Sequence, residues 1–357
     1  MANIFDYLND VAYDSFYDLP VNELDVLSLT ELTYLPFDDV VAQEPKRLID
    51  LAPQIPRETT MLTNKNRLQL LDQLSQHKRF KNCKLSNFIN DIDPELQKQF
   101  AAMTYRISLD TYLLVFRGTD DSIIGWKEDF HMTYMKEIPA QKHALQYLQD
   151  FFAQHPNQKV VLAGHSKGGN LAVYAASQLD PLLQKSIVAV YTFDAPGLHK
   201  ELTETAGYQN MMERTKVFVP QGSIIGMMLE IPDKKIVVRS TALGGIAQHD
   251  TFSWQVEDKH FVQLDETNSD SQQVDTTFKE WVETVPDTEL QLYFDLFFGI
   301  ILDAGISSIN DLSSFKVIEH IHHLFVQAQS LTPEERETMG RLTQLLIDTR
   351  YQAWKNR

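Results

Sequence analysis

Gly164-His165-Ser166-Lys167-Gly168 sets a serine between two glycines where the apolar run Val160-Val161-Leu162-Ala163 gives way to Leu171-Ala172-Val173-Tyr174-Ala175-Ala176. That order predicts a buried strand, a sharp turn and a helix. The turn needs both glycines, because a side chain at either would run into the strand or the helix. It lifts the Ser166 hydroxyl clear of the sheet at the positive end of the helix. A serine so placed is a nucleophile for acyl transfer if three further groups converge on it. These are a base, a group that orients the base, and donors for the developing oxyanion.

The elements that would position such groups lie between about residues 100 and 263. Strands are expected over 101–108, 111–116, 159–164, 187–193, 215–219 and 235–240, and helices over 140–154 and 169–179. This alternation predicts an α/β architecture, a mostly parallel sheet with helices on both faces. The turn at Leu109-Asp110 makes the first two strands an antiparallel pair. Residues 1–60 read as an accessory helical arm packed on a core spanning 61–265. In that arm 21–34 has leucines at helical spacing on one face and Pro36, Pro53 and Pro56 interrupt the chain; a second helix is expected after it, over 66–77. The polar run 265–273 reads as a linker to an all-helical region, 275–357. Its last helix has a clear start in Thr332, Pro333 and Glu335. That tail is expected to brace, cover or dock the core, or to pair with a second copy in a homo-oligomer, without giving a catalytic group.

Composition narrows the classes. The 357 residues are 43% hydrophobic and 23% charged, ordinary values for a globular chain. A formal charge of −17 argues against nucleic acid and against electrostatic docking on an anionic membrane. Cys83 is the single cysteine, so no disulfide framework forms, which fits a reducing cytoplasm. The opening residues lack the basic start and apolar run of a secretory signal. The most apolar stretch, 290–302, contains Asp295, ends at Asp303, and is too short to span a bilayer. No phosphate loop or dinucleotide fingerprint appears, so no cofactor is expected. His320, His322 and His323 look metal-like, but few acidic partners stand at helical spacing, so no metal is expected either.

Phe116-Arg117-Gly118-Thr119, followed by Trp126 and Asp129, together with the serine turn and Gly168-Gly169, is similar to the class-three, fungal-type lipases. Residues 1–265 resemble more closely a bacterial family of largely uncharacterised, lipase-like α/β-hydrolase proteins. The motifs are Ser166-Lys167-Gly168-Gly169-Asn170, Phe193-Asp194-Ala195-Pro196-Gly197 and Gln248-His249-Asp250. The resemblance implies the α/β-hydrolase fold and a serine hydrolase acting on a small-molecule carboxylic ester or thioester with an apolar acyl group. It implies that Thr119 helps form the oxyanion hole with the backbone N–H of Lys167, and that 120–130 matches a short mobile lid carrying Trp126.

In that fold the histidine comes last along the chain. His249 follows a strand and the loop Leu243-Gly244-Gly245-Ile246, where a histidine can swing over the sheet edge; His199 and His260 lack a distinctive setting. His165 is expected to point away from the serine as an orienting core histidine. The acid position of the lipases, after the strand 216–220, holds Ser223. Asp194 is the nearest suitable carboxylate, because a lone acid behind a buried strand needs a partner such as His249. Asp250 ranks second. The Lys167 side chain is expected to be solvated, the alternative being a pair with a nearby carboxylate. Met211, Met212, Met227 and Met228 would line an acyl pocket or pack in the core. The charged lid (Asp120, Asp121, Lys127, Glu128, Asp129) favours soluble esters over emulsions. The displaced acid and the helical tail also fit a rival class, a hydrolase-shaped scaffold whose chemistry has lapsed.

Overall fold

The computed structural model describes residues 2–58, 64–120, 122–232, 234–306, 327 and 329–355; Asp121, His320, His322 and His323 lie outside them. Its strands are β1 (Lys46–Arg47), β2 (Lys84–Asp93), β3 (Lys98–Arg106), β4 (Thr111–Phe116), β5 (Lys159–His165), β6 (Ile187–Phe193), β7 (Thr215–Pro220), β8 (Ile236–Val238), β9 (Val256–Glu257), β10 (His260–Phe261) and β11 (Gln263–Leu264). The helices before the serine turn are α1 (Ile4–Asp10), α2 (Glu23–Leu32), α3 (Leu48–Leu51), α4 (Asn64–Gln76), α5 (Ile123–His131) and α6 (Pro139–Gln154). Those after it are α7 (Lys167–Gln178), α8 (Pro181–Gln184), α9 (Lys200–Thr203), α10 (Ala206–Met212), α11 (Ser269–Thr284), α12 (Asp287–Asp303) and α13 (Pro333–Lys355).

One nine-stranded mixed sheet has the order β1-β2-β3-β4-β5-β6-β7-β8-β11. Strands β4 to β8 are parallel, and antiparallel strands flank them on both sides. Strand alternation divides the apolar side chains between two layers. Tyr112, Leu114, Val160 and Leu162 face α6, α7 and α10. Leu113, Val115, Val161 and Ala163 face the N-terminal helices. Residues 2–58 are therefore part of one of the two layers covering the sheet, and not an accessory to it.

Helix α2 departs further from expectation, because every residue from Glu23 to Leu32 is buried. Its leucines and valine join the core; its hydroxyls are satisfied within the helix and its buried carboxylates by partners from other segments. The Ser28, Thr30 and Thr33 hydroxyls donate to carbonyls one turn back. Asp25 pairs with Arg79 at 2.6 Å and accepts the Tyr7 hydroxyl at 2.8 Å, while Glu31 pairs with Arg67 at 2.9 Å. An amphipathic pattern signals one buried face; this helix is buried all round, with buried arginines matching Asp25 and Glu31.

Two other expectations need correcting. The sheet begins at β1 and β2, well before residue 100, and a register shift between Ser86 and Ile89, with Asn87 at φ 53°, breaks the alternation that would have revealed β2. The run 265–273 is no simple linker. Asn268 caps α11 by accepting Ser271 N–H, and Thr267, Ser271 and Gln273 are buried. Among the described residues no helix is long and apolar enough to cross a membrane; the stretch 290–302 lies within α12.

Asp25→Ala strands the Arg79 guanidinium in the core and should destabilise the fold by about 3–5 kcal/mol. Urea unfolding checks this, and a loss below about 1 kcal/mol would mean the pair is not buried in solution.

Candidate active site

Ser166 sits between β5 and α7 with φ 57° and ψ −136°, a region that non-glycine residues adopt only at about 1–3 kcal/mol. The glycines around it make the turn possible. A Cβ on Gly164 would strike the Gly168 backbone, and one on Gly168 would strike the Phe116 carbonyl. Ser166 N–H donates to the Phe193 carbonyl at 3.0 Å, which ties the turn to β6.

Asp194 follows β6, is fully buried, and also has a positive φ of 44°. Its Oδ2 lies 2.6 Å from His249 Nδ1. Its Oδ1 accepts the Ser223 hydroxyl and Gly226 N–H, the latter at 3.1 Å. With Nδ1 donating to Asp194, His249 Nε2 is left as a proton acceptor. Asp250 turns elsewhere and accepts Phe252 N–H at 3.2 Å. Burial raises its pKa, with Glu31 adding to the effect. His199 caps α9, and His260 binds Glu23 at 2.7 Å.

Ser166, His249, Thr119, Lys167 and Trp126 line one cavity of about 410 Å³, with Asp194 behind His249. Its apolar wall includes Trp126, Phe130, Met132, Ile225, Met228 and Leu229. Of the four methionines read as lining an acyl pocket or packing in the core, Met228 lines the cavity; Met211 and Met227 are buried, and Met212 packs on the core. Among the described residues no protein acceptor takes the backbone N–H of Thr119 or Lys167.

His165 faces the cavity's polar end, and its partners decide its tautomer. Nε2 lies 3.1 Å from the His249 carbonyl, an acceptor, so Nε2 carries the proton. Nδ1 is then the acceptor for the Tyr34 hydroxyl at 3.2 Å, and that hydroxyl in turn accepts Gly118 N–H at 3.0 Å. Burial pushes the His165 pKa down to about 4, helped by His249 and opposed by Glu31. Burial acts to raise the Glu31 pKa, but Arg67 overcomes it, with the Thr251 hydroxyl adding a hydrogen bond, and holds the carboxyl below its usual range.

On the other side of the serine, Lys167 contradicts the expectation of a solvated side chain. It is fully buried, with Nζ 2.9 Å from Glu128 and 3.0 Å from the Gln99 carbonyl. Burial works against its charge, yet Glu128 and Asp129 more than compensate and raise its pKa. Glu128 also accepts Gln99 N–H at 2.9 Å and Ala140 N–H at 3.1 Å. Asp129 accepts the Thr119 hydroxyl at 2.5 Å, and burial lifts its pKa to about 6 against the pull of Lys167. Glu128 and Lys127 of α5 are thus buried, so the segment expected to be a charged mobile lid is anchored by ions instead. Its outer side packs on the tail, through Lys127–Asp295 at 2.7 Å and Phe130 against Phe294 and Phe298. Tyr34, Glu31, Arg67 and Gln99 escape sequence reasoning, since no local pattern links them to a turn so far along the chain.

The profile of the Mbeg1-like family matches residues 74–299. The chain belongs to the Mbeg1-like family. No match is found among curated proteins. Among solved structures, this Mbeg1-like chain is similar to the mono- and diacylglycerol lipase from Aspergillus oryzae, at 16% identity over 69% of this chain and 87% of that one, with a TM-score of 0.43. It is also similar to M37 lipase (15%, 58% and 70%, TM-score 0.37). The lipase from Rhizopus microsporus var. chinensis gives 16%, 58% and 72%, with a TM-score of 0.36. Among the described residues no cluster of three or more His, Cys, Asp or Glu is placed to hold a metal ion.

Two measurements probe this Mbeg1-like site without a substrate. Tyr34→Phe removes the hydroxyl shared by Gly118 and His165 and should lower stability by about 1–3 kcal/mol, measured by urea unfolding; no change would mean the hydroxyl is not bridging them. Asp129 binds a proton in the folded state between its ordinary 3.8 and about 6, where the unfolded chain has lost it. Its contribution therefore makes stability fall as pH rises through that window. His165, held down to about 4, contributes the opposite slope, but cancels when variant and parent are compared. The unfolding free energy of Asp129→Asn minus that of the parent should rise across the window and level off above it. A flat or falling difference would refute the raised pKa.

Proposed function

We propose that the chain is a serine hydrolase of the α/β-hydrolase fold, cleaving a carboxylic ester or thioester through an acyl-enzyme on Ser166. The observation that carries the reading is the strained Ser166 in one cavity with His249, whose Nδ1 is held 2.6 Å from buried Asp194. Ser166 Oγ attacks the acyl carbon while His249 Nε2 takes its proton. The N–H groups of Thr119 and Lys167 receive the oxyanion. Collapse breaks the bond to the leaving oxygen or sulfur, which takes the proton from His249. Water, deprotonated by His249, then releases the acid and restores Ser166. Asp194 fixes the His249 tautomer and balances the imidazolium formed in each step. The apolar wall around Met228 and Trp126 supports an apolar acyl group.

A fluorophosphonate probe should give one adduct by intact mass, on a peptide containing Ser166, and none in Ser166→Ala. Asp194→Asn should slow hydrolysis of a soluble 4-nitrophenyl ester by about 10²–10⁴-fold, and Asp250→Asn far less. No adduct on the folded protein would favour a scaffold whose chemistry has lapsed, and a reversed order of the two variants would move the acid to Asp250.

A further inference from the structure

We propose that Leu229 is a partition that limits the acyl chain, and that the groove behind it is a distal subsite for longer apolar chains. This rests on the hydrolase reading above. Leu229 lines the cavity at Ser166 and also an open groove of about 640 Å³ between α11 and the segment after β6. The two spaces share that wall. On the groove side the apolar surfaces include Leu198, Phe278 and Val282, among charged residues such as Lys200, Glu201 and Lys279; on the serine side they include Met132 and Met228.

The partition is held in place by its backbone. Gly197 N–H donates to the Met228 carbonyl at 2.9 Å, and Leu198 and Glu230 exchange hydrogen bonds at 3.2 and 3.1 Å. Leu229, between these pinned neighbours, has a φ of 63°, unusual for a bulky residue. Its strain persists because both sides are fixed.

Direction follows from the cavity's polarity. Its other end carries Glu31, Arg67 and Asp250, which an alkyl chain would desolvate without return. Past Leu229, apolar side chains continue along the α11 side of the groove, so a chain outgrowing the cavity in that direction stays on Leu198, Phe278 and Val282. The tail helix then contributes to substrate length without touching the reacting atoms.

The test compares kcat/KM for 4-nitrophenyl laurate and butyrate. Leu229→Ala should raise the laurate to butyrate ratio about tenfold, and Leu229→Trp should lower it. Adding Val282→Trp to Leu229→Ala, which fills the groove, should cancel the gain. The partition is overturned if Leu229→Ala folds with an unchanged ratio, or if its gain survives Val282→Trp. If Leu229→Ala does not fold, the decision passes to Leu229→Trp, where an unchanged ratio overturns it. Probe labelling in the same samples separates the two claims. Parent protein that folds but neither labels nor hydrolyses sinks the hydrolase reading, whereas labelling at Ser166 with unchanged ratios sinks only the partition.

Discussion

One hydroxyl joins the parts of this site that come from distant stretches of chain. Tyr34 belongs to the layer that covers one face of the sheet, yet its oxygen accepts from Gly118 and donates to His165. His165 precedes the strained serine and holds the carbonyl of His249 through its other nitrogen. The loop after β4, the serine turn and the histidine loop are thus fixed relative to one another by consecutive hydrogen bonds. The order works only with His165 neutral, because a protonated Nδ1 could not accept from Tyr34. Its burial supplies that condition, and Glu31 with Arg67 beside it remains a closed pair instead of a proton donor.

Buried ions brace both sides of the turn in different ways. Glu31 and Arg67 stand on the layer of α2 and α4; Lys167, Glu128 and Asp129 stand between α7 and α5. A buried pair is weak evidence for net stability, since desolvation offsets most of its attraction. Its value here is geometric. Removing one partner would strand the other, so α5 cannot leave the serine turn without exposing an unpaired Lys167. The segment 123–131 is thus tied to the serine turn by buried ions on its inner side and packed by α12 on its outer side.

The parallel strands and the serine turn were legible because each is local. An apolar run beside a Gly-x-Ser-x-Gly pattern depends on neighbours a few residues away, and β4, β6 and β7 follow their sequence patterns closely. Asp194 and His249 could be paired only by asking which buried carboxylate lacked a partner, and the structure brings them together. The misses have a common physical form. Lys167 read as solvated because its partners lie about forty residues earlier, at Glu128, and further back at Gln99. The burial of α2 was hidden because its polar residues are neutralised by Arg79 and Arg67 from another segment. Long-range charge pairing leaves no period in a sequence.

Ser223 shows how Asp194 and the tail are connected. Its hydroxyl donates to Asp194 from the neighbouring strand end. A hydroxyl there cannot replace a carboxylate, but it can hold one. The same residue's carbonyl accepts the hydroxyl of Ser271 at 2.5 Å, and the Gln221 carbonyl accepts Asn268 N–H at 2.7 Å. The first turn of α11 is therefore seated on the loop that steadies Asp194. That contact explains why a stretch as polar as 265–273 is partly buried: its partners are backbone groups, which demand donors and acceptors, not apolar side chains. A boundary drawn from composition at that stretch separates two pieces that share hydrogen bonds. The helical tail, which also walls the groove behind Leu229 and clasps α5, belongs mechanically to the site it follows in the chain.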